Sequence, residues 1–179
     1  MEASRSICSQ MNDDAPRTSP RADALVLLSV ALLIYVADQV SKALVAANIG
    51  LDQRIRVVGD LVQLWHARNA GAAFSLFQGG QLLFLVVSVV ALGMIVYFHR
   101  AFRGHSGWLQ VVLGLILGGT LGNLTDRLRQ GYVTDFVSIG VGDMRWPTFN
   151  VADSSIMIGI GLLVVYLVFV DRMREGATT

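Results

Sequence analysis

The stretch "FNVADSSIMIGIGLLVVYLVFV", residues 149–170, joins a polar head to an apolar run that carries no charge from 154 to 170. That run is near the short end of the ~17 to 25 residues that an α-helix needs to cross a bilayer. Three more runs are long and apolar enough for the same role, at 24–45, 81–98 and 108–124. With 54% hydrophobic and 15% charged residues in 179, the chain falls in the membrane class. We therefore expect a mainly α membrane protein, a four-transmembrane-helix bundle. The question left by the opening stretch is Asp153, a carboxylate at the mouth of a span, where an ionised group is costly unless it is paired or used.

Working outward, residues 1–22 are rich in Ser, Asp, Arg and Pro without apolar period and read as a disordered tail. Residues 23–171 read as one membrane-embedded domain and 172–179 as a short tail. The first run, followed by "VAA" (45–47), could pass for a cleaved signal peptide, but Asp38 and Lys42, one helical turn apart, argue for a retained helix. A net charge of +1 with scattered basic residues gives no nucleic-acid signal. The single cysteine, Cys8, lies in the polar leader, and His66, His99 and His105 fall in separate segments that read as solvated loops. No disulfide, metal or cofactor is expected.

The short basic connection "HRAFRGHSG" (99–107) looks cytoplasmic, although Lys and Arg divide almost evenly between the two sides. The longer connections, "RIRVVGDLVQLWHA" (54–67) and "YVTDFVSIGVGDMRW" (132–146), each place β-rich runs around a Gly-Asp turn and predict a small extramembrane sheet. Alternating crossings bring the end of span one, the loop after it, the end of span three and the start of span four to one side. Nearly every unusual polar residue falls there.

In "GGTLGNLTDR" (118–127), Gly119, Gly122, Asn123, Asp126 and Arg127 recur at helical steps, small residues for close packing and polar ones at the end. Asp38 and Lys42 form a favourable i,i+4 pair that reads as structural. "NAGAAF" (69–74) offers Asn69 and small residues suited to close backbone approach. Asn150 or Asp153 can cap the last helix. Two carboxylates sharing a site cannot easily both ionise, and one protonated with one ionised acid makes an aspartic-protease dyad. On the residues alone, the partner of Asp153 is either Asp126 or Asp135. "GVGD" (140–143) matches the G-x-G-D signature of certain intramembrane proteases, but the aromatic and proline residues after it favour a hairpin turn.

Taken in order, "DQVSK" (38–42), "RNAGAAFS" (68–75), "GGTLGNLTDRLRQGYVTDF" (118–136) and "FNVADSSI" (149–156) resemble the bacterial lipoprotein signal peptidases, signal peptidase II. The resemblance runs from about 24 to 170. It implies a four-helix aspartyl endopeptidase of the bacterial inner membrane, with both termini cytoplasmic and with the sheet and active site at the periplasmic face. Such enzymes cut diacylglyceryl-modified prolipoproteins just before the lipidated cysteine and are blocked by globomycin-type cyclic peptides; a monomer is expected. The catalytic dyad falls on Asp135 and Asp153. Asn69, Asn123, Asp126, Arg127 and Asn150 fall on positions that support the dyad or hold substrate, and Asp38 and Lys42 on a structural polar pair.

Three other readings compete. A proton or cation relay would string polar residues through the membrane, yet spans two and four are almost wholly apolar at their centres. A serine-lysine peptidase would use Lys42 with Ser154 or Ser155. A non-enzymatic scaffold would not need its acids.

Overall fold

Four long helices and a four-stranded sheet make up the computed structural model, which describes residues 19–71, 81–102 and 107–176, by backbone alone at 81–82 and 169–176. The leader before Ser19, with Cys8, and part of "RNAGAAFS", residues 72–75, lie outside the described residues, as does His105. Helix α1 (Pro20–Asn48) starts where the sequence can cap it: Ser19 Oγ accepts the Ala22 N–H at 3.1 Å and Pro20 occupies the first turn. It therefore begins four residues before the apolar run. Helices α2 (Gln81–Ala101) and α3 (Gly107–Gln130) follow, and α4 (Val151–Gly176) runs past the 171 boundary, because Arg172, Met173, Arg174 and Glu175 suit a helix once the apolar run has stopped. All four are long and apolar enough to span a membrane.

Helix α3 sits at the centre, packed on the other three. Its glycines set the spacing. A Cβ on Gly118 would lie 2.5 Å from the Ala31 carbonyl oxygen and 2.8 Å from Ile34 Cβ, and one on Gly114 would lie 2.8 Å from the Leu27 carbonyl oxygen. No side chain fits there, so α1 and α3 touch backbone to backbone. Leu109, Val112 and Leu113 fill the core beside Leu27 and Ile95. The outward faces are apolar as well: Leu28, Leu32 and Val36 on α1, Val89 and Val90 on α2, and Ile158 and Val164 on α4 are exposed. Hydrocarbon is the solvent that suits such a surface, and the chain is a multi-pass membrane protein.

The sheet is antiparallel in the order β1 (Arg54–Val58), β2 (Val62–Asn69), β3 (Val133–Val141), β4 (Met144–Arg145). Both expected hairpins form, with Gly59 and Gly142 at φ 51° and 55° in their turns, where a β-carbon would be strained. "GVGD" is thus a turn. Arg145 bonds Ser138 and the Asp60 carbonyl oxygen, while Asp60 Oδ2 accepts the Gly142 N–H, so the two hairpin tips are tied together. Gly131, at φ 81°, ends α3 and turns the chain into β3. Phe149 then pairs with Val137, which sets residue 150 beside Asp135 and Phe136 just before α4 begins.

Candidate active site

Where α1 and α3 end, three charged side chains meet in the interior. Lys42 Nζ lies 2.7 Å from Asp38 Oδ2 and 3.0 Å from Asp126 Oδ2, and it donates a hydrogen bond to Asn123 Oδ1 at 3.0 Å. An ammonium has three donors, and all three are used. Asp126 also accepts from the Thr134 N–H and from Gln39 Nε2, and Asp38 Oδ1 accepts the Ala152 N–H at 3.0 Å, capping α4 from another helix. The two acids thus share one ammonium, and each accepts further N–H donors.

The start of α4 is a capping box. Asp153 N–H donates to Asn150 Oδ1 at 2.9 Å, and Asn150 N–H donates back to Asp153 Oδ2 at 3.1 Å. Because Asn150 Oδ1 faces Asp153, its Nδ2 must face the other way, and it donates to Asp135 Oδ1 at 2.8 Å. One residue therefore holds both acids. The second oxygen of each is held by another asparagine: Asn123 Nδ2 donates to Asp153 Oδ1 at 2.7 Å, and Asn69 Nδ2 to Asp135 Oδ2 at 2.9 Å. Lys42 on Asn123 Oδ1 and the Gly71 N–H on Asn69 Oδ1 fix which way those amides point.

Among the described residues, neither Asp135 nor Asp153 has an ion-pair partner. Burial, and then the negative charge of Asp153, push the Asp135 carboxyl up to about 7, against the opposing pull of the two amides and of Lys42. A proton is therefore easily held at Asp135 near neutral pH. Such a pair, one acid that keeps its proton and a neighbour held by N–H donors, can polarise a carbonyl and activate a water.

The structure thus gathers Asp135, Asp153, Asn69, Asn123 and Asn150 into one network, and it ties Asp126 to Asp38 and Lys42 instead. Arg127 stands at the edge, where it donates to the Asn123 carbonyl oxygen at 3.3 Å and lies 4.7 Å over the Phe84 ring, and among the described residues no hydrogen bond joins it to Asp135 or Asp153. Lys42 meets neither serine: Ser154 and Ser155 donate to the carbonyl oxygens of Asn150 and Ala152. Two histidines need correcting. His66 is buried in β2 against the Ile49 carbonyl oxygen, and His99 lies in α2 against Gln110, so both are in regular elements with partners rather than in solvated loops. Gln39 and Thr134 went unread in the sequence, although Gln39 directly follows Asp38 and Thr134 directly precedes Asp135.

Four spanning helices around a polar, acid-rich site at one membrane boundary define a multi-pass membrane enzyme, and the fold agrees with solved examples. Two bacterial membrane enzyme structures obtained by the in meso method, at 2.3 and 1.9 Å, match with TM-scores of 0.73 and 0.71 at 30% identity, covering 79% of this chain and 87% and 91% of theirs. Residues 30–169 match the family described as signal peptidase (SPase) II, and the chain belongs to this family of peptidases. Proteins named lipoprotein signal peptidase are similar over most of its length: that of Halothermothrix orenii is 40% identical, covering 77% of this chain and 92% of the relative. That of Symbiobacterium thermophilum is 36% identical, covering 83% and 97%.

Proposed function

We propose that this peptidase is an aspartyl endopeptidase that removes the signal peptide from diacylglyceryl-modified prolipoproteins, cutting just before the lipidated cysteine, with Asp135 and Asp153 as its dyad. The observation that carries the reading is the shared asparagine. Asn150 binds both acids, while the other two buried acids nearby are taken up by Lys42.

In the mechanism, ionised Asp153 takes a proton from a water as its oxygen attacks the scissile carbonyl carbon, and protonated Asp135 donates a hydrogen bond to the carbonyl oxygen. The tetrahedral intermediate collapses as the amine leaves with a proton from the dyad, and no covalent enzyme adduct forms. Asn69, Asn123 and Asn150 hold the carboxylates in register. Arg127, packed on Phe84, borders the site and contributes to holding substrate. The enzyme acts as a monomer in the bacterial inner membrane, with both termini cytoplasmic and the dyad near the periplasmic face, and globomycin-type cyclic peptides occupy the same site.

The test is incubation of the purified protein with a diacylglyceryl-modified precursor and its unlipidated twin. Selective cutting of the lipidated form before its cysteine is expected; equal cutting of both, or cutting elsewhere, overturns the substrate assignment.

A further inference from the structure

Two cavities lie end to end on the seam between α1 and α3, and we propose that together they hold one glycerophospholipid of the bilayer, at a site separate from the carboxylate pair. The deeper cavity, about 350 Å³, is lined by Leu28, Leu32, Leu117 and Leu121, with the hydroxyl-bearing Tyr35 and Thr125 at its boundary end. The second, about 260 Å³, is lined by Gln39, Lys42, Asp126, Arg129, Gln130 and Thr134. On α1 the lining positions step through 28, 32, 35, 39, 42 and 46, and on α3 through 117, 121, 125 and 129. Steps of three or four keep to one face of a helix, so the two cavities form a single groove.

Chemistry changes along that groove in the order of an amphiphile. Leucines line the membrane depth, hydroxyls follow, and a guanidinium stands at the boundary. Arg129 is exposed and has no hydrogen-bond or ion-pair partner among the described residues, whereas the donors of Lys42 are all engaged. Thr134 Oγ accepts from Gln130 Nε2 at 3.2 Å, which leaves its own hydrogen to donate. A guanidinium fork beside a hydroxyl suits the paired oxygens of a phosphodiester, and the apolar trough below suits an acyl chain. At 3.6 residues per turn, Leu121 and Thr125 lie about 160° around α3 from Asn123. The apolar half of the groove therefore opens away from Asn123, while its polar half, lined by Lys42, Asp126 and Thr134, lies beside the network that holds Asp135 and Asp153 but includes neither acid; the trough suits a lipid of the surrounding bilayer rather than the acyl chains of a bound substrate. Both helices that form the seam are long and apolar enough to span the membrane, and Leu28 and Leu32 along it are exposed, so such a lipid is at hand.

The experiment is native mass spectrometry of the full chain released from detergent, with three probes added separately. These are dioleoyl phosphatidylglycerol, dioleoylglycerol with the same chains but no phosphate, and glycerol 3-phosphate with the phosphate but no chains. One phosphatidylglycerol per chain should be retained, about tenfold more weakly in Arg129→Gln and in Leu121→Trp, which fills the trough, and unchanged in Arg56→Gln on the sheet. Added phosphatidylglycerol should also raise the melting temperature of the wild type and of Arg56→Gln but not of the two groove variants. Equal retention of dioleoylglycerol, tight binding of glycerol 3-phosphate alone, or adducts indifferent to both groove substitutions overturns the proposal. So does a lipid-free homodimer that Leu121→Trp separates, which would make the groove a helix-docking face.

Discussion

Two pairs of carboxylates, all buried except the half-buried Asp153, occupy the same membrane boundary, and they differ in what lies between them. Asp38 and Asp126 share the ammonium of Lys42, and each has further N–H donors. Among the described residues, Asp135 and Asp153 share Asn150, a neutral residue that donates to one acid through its side chain and to the other through its backbone. A cation makes an acid cheap to bury and chemically idle. An amide orients two acids without cancelling either charge, so the pair must keep a proton to be stable, and a kept proton is what hydrolysis of an amide bond uses.

The sharpest way to break the comparison is to neutralise one acid of each pair. Asp135→Asn and Asp153→Asn should each lower cleavage of a lipidated precursor by about a thousandfold or more, since each removes one half of the acid–base pair. Asp126→Asn should leave cleavage within about tenfold of wild type and act mainly on the melting temperature, because Lys42 still has Asp38 as its partner. Near-normal turnover in Asp135→Asn together with a dead Asp126→Asn would reverse the two assignments.

Removing the cation tests the other side. Lys42→Met leaves Asp38 and Asp126 buried without a counter-charge and should destabilise the fold by roughly 3 to 5 kcal/mol, the usual cost of breaking a buried pair. Thermal unfolding in detergent measures it. Lys42→Met combined with Asp126→Asn should recover part of that loss, as one of the two stranded charges is gone. If Lys42→Met melts like wild type but fails to cleave, the ammonium belongs to the chemistry instead.

The contrast between the pairs also shows where the sequence is readable. Apolar runs and Gly-Asp turns are local signals, and they led directly to four spans and two hairpins. That Asp153 sits at a helix start was equally plain. Choosing its partner was not, because Asp126 and Asp135 both follow the third span and differ only in what faces them. Asp126 is on the side of α3 that meets Lys42, whereas Asp135 lies beyond the reversal at Gly131 and is brought to Asn150 by the Val137–Phe149 pairing. Those are contacts between distant segments, invisible to spacing. Only the resemblance to a family pointed to Asp135. His66 failed for a related reason: its carbonyl partner at Ile49 comes from the end of another element.

Proton possession separates the pairs by pH. The Asp135 carboxyl titrates at about 7 in the fold against an ordinary 3.8. Between those values the folded chain holds a proton that the unfolded chain has released, so stability is present at the acid end and falls as pH rises through about 7. In detergent the melting temperature should therefore drop between pH 5 and 8 in steps that Asp135→Asn removes. The kcat/KM for cleavage should fall over the same upper range as Asp135 loses its proton, with an acid limb where Asp153 gains one. A flat melting temperature from pH 5 to 8 would mean that Asp135 is ionised throughout.

The smallest expected effect tests whether the Lys42-bound pair is only scaffolding. Gln39 Nε2 lies 3.2 Å from Asp38 Oδ2 and 3.1 Å from Asp126 Oδ1, a neutral donor laid across the two acids that already share Lys42. Gln39→Ala removes it but leaves the ammonium, so the cost should be about 1.5 to 3 kcal/mol of stability, the range for a hydrogen bond to a charged partner. Turnover should stay within a few-fold, because the links from this pair to the start of α4, through Lys42 to Asn123 and from Asp38 to the Ala152 N–H, keep their bonds. Gln39→Glu is the harsher variant, since it adds a third carboxylate beside one ammonium, and it should destabilise more than Gln39→Ala. If instead Gln39→Ala cut kcat while leaving KM and the melting temperature unchanged, the two pairs would be one catalytic unit, and the division drawn between them would fail.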